Sequence, residues 1–160
     1  ILQGIYPITD ADNSYTLLEA TYDLYAELLY TAIKQIQAGN AKKIKQTDIH
    51  PVGFYCGERR AGDEIINWNQ PSRAIFNFIR GVYSPGHLNA ISYLKNEEIK
   101  IFKAKMVDHA PVYIGIPGQV VGKNANSFFV KTADTVIEIV DYLSDRNVKI
   151  GDRLKMQTSD

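Results

Sequence analysis

Apolar residues recur at helical spacing through the first quarter of the chain, at Leu17, Leu18, Leu24, Tyr25, Leu28, Leu29, Ile33 and Ile36. Asp10, Asp12, Asn13 and Ser14 stand ahead of the run as N-cap candidates, and Gly39-Asn40 follows it as a stop, so the pattern predicts one long helix over 14–38. A second stripe, Ile75, Phe78, Ile79 and Val82, falls at i, i+3, i+4 and i+7 and leaves Arg73, Asn77 and Arg80 on its flanks. Pro71 suits the first turn of that helix, since its missing N–H would have had no partner there, and Asn69 is the cap candidate; the prediction is a helix over 70–83. From Leu88 onward the period changes to two. Ile91 and Tyr93, then Ile99, Ile101 and Phe102, flank Lys95-Asn96-Glu97 as a β-hairpin, and Val120-Val121, Phe128 to Val130 and Val136 to Val140 supply further strands. Glycines 115, 118, 122 and 151 mark turns between them. Ile1 to Ile8 reads as a short strand, with Pro7 favouring an edge position. Five or so short strands in this spacing suggest a small barrel or sandwich.

Composition narrows the class. The chain has 160 residues, 45% of them apolar and 22% charged, which is the balance of a folded globular protein. Lys plus Arg equals Asp plus Glu, 18 against 18, so no global basic field draws in nucleic acid. A single cysteine, Cys56, excludes an internal disulfide framework and fits a reducing cytoplasm. No apolar run approaches the roughly 20 residues that span a bilayer, so no membrane partner is expected. Opening on Ile1, inside an apolar run, the sequence reads as a fragment or a processed product. The tail from Gln157 to Asp160 is expected to fray.

Candidate chemistry is sparse. His50, His87 and His109 are far apart and stand in no metal-ligand pattern, so no metal site is expected. A Gly-rich phosphate loop and a nucleophile elbow are both missing. Cys56 has no neighbouring base and reads as structural. Tyr15, Tyr22, Tyr25 and Tyr30 on the long helix are expected to serve as core or rim, because a long helix needs an apolar face packed against something. Lys42, Lys43 and Lys45 follow its C-terminus, where cations offset the helix dipole.

The densest stretch is Gly57 to Arg80. Gly62-Asp63 reads as a turn, which puts Arg59 and Arg60 on a loop where they can hold a phosphate or carboxylate by bidentate hydrogen bonds; alternatively Arg59 pairs Asp63 or Glu64. Trp68, the only tryptophan, either stacks a base or fills the core beside Ile65 and Ile66.

The order arginine, Gly62-Asp63 turn, Ile65-Ile66, Asn67-Trp68, then Ser72-x-x-Ile75-x-x-x-Ile79-Arg80 resembles the hinge of the formyltransferase family, whose members formylate methionyl-tRNA or the amino group of sugar nucleotides. Ser84-Pro85-Gly86, Ile99 to Ala104, Pro117 to Val121 and Ile150 to Leu154 continue the match downstream, and Ile8 to Asn40 resembles the end of the family's catalytic domain. Ala61, Glu64 and Asn67 depart from the family's usual proline, glycine and aspartate. The resemblance implies an α+β chain: 1–56 as the strand-and-helix tail of a catalytic domain, 57–83 as hinge loop and linker helix, and 84–160 as an open β-barrel of the oligonucleotide-binding (OB-like) type. It also implies 10-formyltetrahydrofolate as cofactor, bound mainly by an upstream domain. The family's Asn-x-His catalytic motif is absent here, so no catalytic residue is assigned and the chain alone is expected to be inert. Arg59, Arg60, Trp68 and Arg80 are the expected substrate-binding residues. The neutral charge balance favours an amino-sugar nucleotide as the amine acceptor; the alternative is initiator tRNA, faced by Lys100, Lys103 and Lys105, with Lys95, Lys123 and Lys131 nearby. Strict alternation would put Lys103 and Lys105 on one strand face and Lys100 on the other. A non-catalytic OB-like binding module and a homodimerisation piece are the readings from other classes.

Overall fold

The computed structural model describes residues 2–86 and 89–156, and the chain divides into two compact units, Ile1–Arg60 and Ala61–Asp160. Ile1, His87 and the tail expected to fray, 157–160, lie outside the described residues.

In the first unit, helix α1 spans Ser14–Gln37, close to its expected bounds. Asn13 caps it by accepting from the backbone N–H groups of Tyr15 and Thr16, both at 2.9 Å, while the Thr16 hydroxyl accepts from Asn13 N–H at 2.9 Å. Its end is closed by Gly39 at φ +70, where Asn40 N–H returns to the Gln35 carbonyl at 3.1 Å. A single turn, α2 (Gln46–Ile49), follows. No side chain of α1 is buried, and Tyr15, Tyr22, Tyr25 and Tyr30 are all exposed rather than packed in a core. Residues 2–9 form no strand, because a strand needs a ladder partner and the described residues offer none; Gly4 instead lies against Leu24 and Leu28.

The second unit carries the buried core. Helix α3 is Ser72–Val82, two residues shorter at its start than expected, and it buries Ile75, Phe76, Ile79 and Val82. Asn69 does not cap it. Pro71 occupies the cap position with no side-chain hydrogen bond to give. Strands β1 (Ala90–Leu94) and β2 (Glu97–Met106) form the expected hairpin, turned by Lys95 and Asn96 at φ 52 and 70, the double left-handed turn that matches strand twist. Strands β3 (Val120–Lys123), β4 (Phe128–Lys131), β5 (Val136–Ser144) and β6 (Leu154–Lys155) complete an antiparallel sheet in the order β3-β4-β5-β2-β1-β6.

The sheet curls into a half-barrel. A bridge between Gln119 and Arg153, with Val120 N–H donating to the Asp152 carbonyl and Leu154 N–H to the Gly118 carbonyl, both at 2.8 Å, ties its two outer strands together. Helix α3 packs over β2, and the core between them holds Ile66, Ile75, Ile79, Ile101, Phe128 and Ile139. The chain thus has the expected α+β class with a small curled β unit at its C-terminal end. The unit boundary falls at Arg60, and α3 buries its apolar stripe in the core of the β unit.

Candidate functional site

The segment that enters the β unit builds outward from backbone pairing. Gly62, at φ +100, turns the chain and donates its N–H to the Glu64 carboxylate at 3.0 Å. Ile66 N–H then bonds the Ile91 carbonyl at 2.9 Å and Ile91 N–H the Glu64 carbonyl at 3.0 Å, a short parallel bridge that joins Ile65 to β1 at Ile91. This pairing carries Trp68 inward. It is 2% exposed, and its indole N–H donates to the Ser92 hydroxyl at 2.9 Å, which in turn donates to the Lys155 carbonyl at 2.8 Å. Trp68 therefore fills the core and has no ring face left for stacking a base, because burying the indole beside Ile66 removes more apolar surface than any exposed pose.

The start of α3 is held from a distance. Asp134, in the β4–β5 turn, accepts from Ser72 N–H at 2.8 Å, Ser72 Oγ at 3.1 Å, Thr132 Oγ1 at 2.9 Å and Thr135 N–H at 2.7 Å. Burial alone would push its carboxyl up, but these four donated hydrogen bonds outweigh that and hold it well below the usual carboxylate range. Beneath it, Lys131 is 1% exposed. Its ammonium donates to the carbonyls of Thr132 and Asp134, both at 2.9 Å, and lies 4.4 Å from the Tyr113 ring centre.

On the outer side of α3, the guanidinium carbons of Arg73 and Arg80 lie 5.3 and 5.4 Å from the centre of the Phe76 ring, and Arg80 Nε donates to Asn77 Oδ1 at 3.0 Å. On another flank, Ile65, Ile66, Asn67, Gln70, Ala74, Ile75 and Phe78 line an open, mostly apolar pocket of about 250 Å³.

The residues expected to bind substrate are thus divided. Arg59 and Arg60 are exposed and lie in the first unit, whereas Trp68 and Arg80 lie in the second. The expected lysine face also changes. Lys131 is buried, Lys95 pairs Asp152 at 2.9 Å, and the Lys123 ammonium donates to Asn147 Oδ1 and the Val148 carbonyl. Lys100, Lys103 and Lys105 are exposed together rather than on opposite faces, because β2 and β5 break register around Lys103 and the inward positions run Ile99, Ile101, then Ala104. That outer face is of mixed sign: Lys103 is registered opposite Asp141 and Lys105 opposite Glu138, and Lys100 lies 3.9 Å from Glu98. Sequence reading missed Asp134 and Phe76. Phe76 was legible in principle, as an aromatic three residues after one arginine and four before another; nothing local to Asp134 ties it to a helix 62 residues upstream.

The family model described as formyl transferase, C-terminal domain, matches residues 60–151. The chain belongs to the formyltransferase family. Within it, methionyl-tRNA formyltransferase of Streptococcus agalactiae is 32% identical over 91% of this chain and 49% of its own length. The enzyme of the same name from Pelotomaculum thermopropionicum is 30% identical over 97% of this chain and 48% of its own. The chain therefore spans about half the length of the curated formyltransferases it matches. Among solved structures, a HypX variant from Aquifex aeolicus superposes with a TM-score of 0.57 at 15% identity, covering 88% of this chain and 24% of that one, a likeness of fold. The match from residue 60 onward coincides with the β unit, whose boundary follows Arg60.

Proposed function

We propose that this chain is the C-terminal half of a methionyl-tRNA formyltransferase and that its β unit helps to hold the tRNA acceptor. The observation that carries this reading is the identity of about a third, over nearly the whole chain, with enzymes of that name from Streptococcus agalactiae and Pelotomaculum thermopropionicum. An amino-sugar nucleotide, favoured by the neutral charge balance alone, has no comparable support, and an even total does not prevent a local basic surface. Formyl transfer from 10-formyltetrahydrofolate is an acyl transfer: the acceptor amine attacks the formyl carbon and loses a proton, and the folate nitrogen leaves. Such a step needs a base and oxyanion donors, which in this family come with the Asn-x-His motif absent from this sequence. The chain's own contribution is then to binding. Arg59, Arg60 and Arg80 are suited to phosphate by their forked donors, and the setting is the cytoplasm, where charged initiator tRNA is found.

A gel-shift titration of this chain with initiator tRNA, run at several salt concentrations beside calorimetry with an amino-sugar nucleotide, tests the reading. The expected result is tRNA binding that weakens steeply with salt and no heat from the sugar nucleotide. Saturable heat with the sugar nucleotide and no tRNA shift would reverse the assignment.

A further inference from the structure

Where the half-barrel closes, three separate stretches of chain bring exposed basic residues together: Lys95 from the β1–β2 turn, Lys123 from the end of β3, and Lys149 and Arg153 from the approach to β6. Residues 149–152 form a tight turn. Asp152 N–H returns to the Lys149 carbonyl at 3.1 Å across Gly151 at φ +92, which sets the two Cα atoms within about 7 Å. The Asp152 carboxylate accepts from Lys149 N–H at 2.9 Å and from the Lys95 ammonium at 2.9 Å. Burial alone would push that carboxyl up, but the Lys95 hydrogen bond, with the charges of Lys95 and Lys149, holds it below its ordinary value.

Lys123 is held on the same loop by neutral groups. Its ammonium donates to Asn147 Oδ1 at 2.7 Å and to the Val148 carbonyl at 2.8 Å, so no counter-charge offsets it there. One carboxylate, Asp152, thus stands among four cations, and the loop's other acid, Asp145, lies with Glu97, Glu98 and Lys100 around a different hollow. The outer face of β2 is the contrast, with Lys103 and Lys105 registered opposite Asp141 and Glu138. Lys149 and Arg153 spend no side-chain donor on the described residues, and Lys95 and Lys123 each keep an N–H of the three that an ammonium carries. Because Lys95 and Lys123 are already held in place, less side-chain freedom is lost when an anion arrives.

We infer that this closing seam, Lys95, Lys123, Lys149 and Arg153 around Asp152, is a phosphate-contact surface for an RNA backbone, in place of the lysine face of β2. The identity of the RNA rests on the tRNA reading; the chemistry of the contact does not. Cations that meet phosphates fix register and orientation without reading bases, so the seam positions RNA rather than selecting its sequence.

The test compares the wild-type chain with K149Q/R153Q, K149R/R153K and K100Q/K103Q/K105Q, each binding initiator tRNA and a mixed elongator tRNA pool across 50–200 mM salt. Circular dichroism melts confirm that each is folded. Loss of two phosphate contacts in K149Q/R153Q lowers the slope of log K against log salt by roughly 1.4–1.8 for either RNA, whereas the lysine triple variant changes it by less. The single variants K149Q and R153Q, each lowering it by about half as much, stand in should the pair unfold. In K149R/R153K the slope is retained. A wild-type slope in the folded glutamine variants, or a loss in the lysine triple variant as large as theirs, overturns the seam and leaves the tRNA reading standing. A wild-type chain that binds neither RNA at 50 mM salt overturns both. Equal affinity for the two RNAs, with the dependence on Lys149 and Arg153 intact, supports the seam while counting against the tRNA assignment.

Discussion

Asp134 does the work that Asn69 is expected to do from the sequence, and it does so from 62 residues further along the chain. Replacing it by alanine removes the acceptor for Ser72 N–H and leaves the α3 terminus uncapped, at a cost of about 1 kcal/mol in a chemical denaturation series. Because its folded pKa lies below its unfolded one, the charge's contribution is complete above the ordinary carboxylate value and is lost as pH falls through that value towards the folded one. The wild-type denaturation midpoint should therefore drop more between pH 5 and pH 2 than that of Asp134→Asn, which never carries the charge. Trp68→Phe keeps most of the buried ring but leaves the Ser92 hydroxyl without its donor; the expected loss is about 0.5–1.5 kcal/mol, read from the same denaturation series, with RNA binding unchanged because the indole is not exposed. An unchanged stability with lost binding would restore Trp68 as a ligand contact.

At the level of elements, α1, α3 and the β1–β2 hairpin are legible in the sequence because each is written in local chemistry: Asn13 and Gly39 at the ends of α1, a stripe along α3, and two turn residues between alternating strands. Strand β6 and the register break in β2 are not, since β6 is two residues long and the break is a property of the β2–β5 pair. Closure of the sheet depends on Gly118. It sits at φ +83, and a Cβ there would lie 2.3 Å from the Leu154 carbonyl oxygen. Gly118→Ala incurs about 1–2 kcal/mol from the left-handed backbone alone, and the clash adds to it by prising Gly118 away from Leu154. A melting temperature lower by roughly 10 °C or more is the expected outcome for a domain of this size. A wild-type melt would mean that the strands are not tied there.

For the molecule as a whole, the two units differ in kind. Residues 61–160 hold the buried core, whereas α1 buries no side chain and exposes Tyr22, Tyr25, Leu29 and Tyr30. Expressed separately, 61–160 should melt cooperatively, and 1–60 should show helical signal without a sharp transition and bind a hydrophobic dye. A cooperative melt from 1–60 would refute that division. The family was legible before the fold because its motifs are spread in order along most of the chain; the acceptor was not, because an even count of 18 basic and 18 acidic residues says nothing about where those residues fall on a surface. Register and burial redistribute them: they remove Lys131 from the surface, set carboxylates against the β2 lysines and line Arg73 with Arg80.

The most direct measurement is formyl transfer by the intact polypeptide that carries this sequence, supplied with 10-formyltetrahydrofolate and offered methionyl-tRNA and an amino-sugar nucleotide in parallel. Formylated methionyl-tRNA from the intact polypeptide, with no turnover by the present chain alone, is the result expected here. Formylation of the sugar nucleotide with methionyl-tRNA untouched would contradict it.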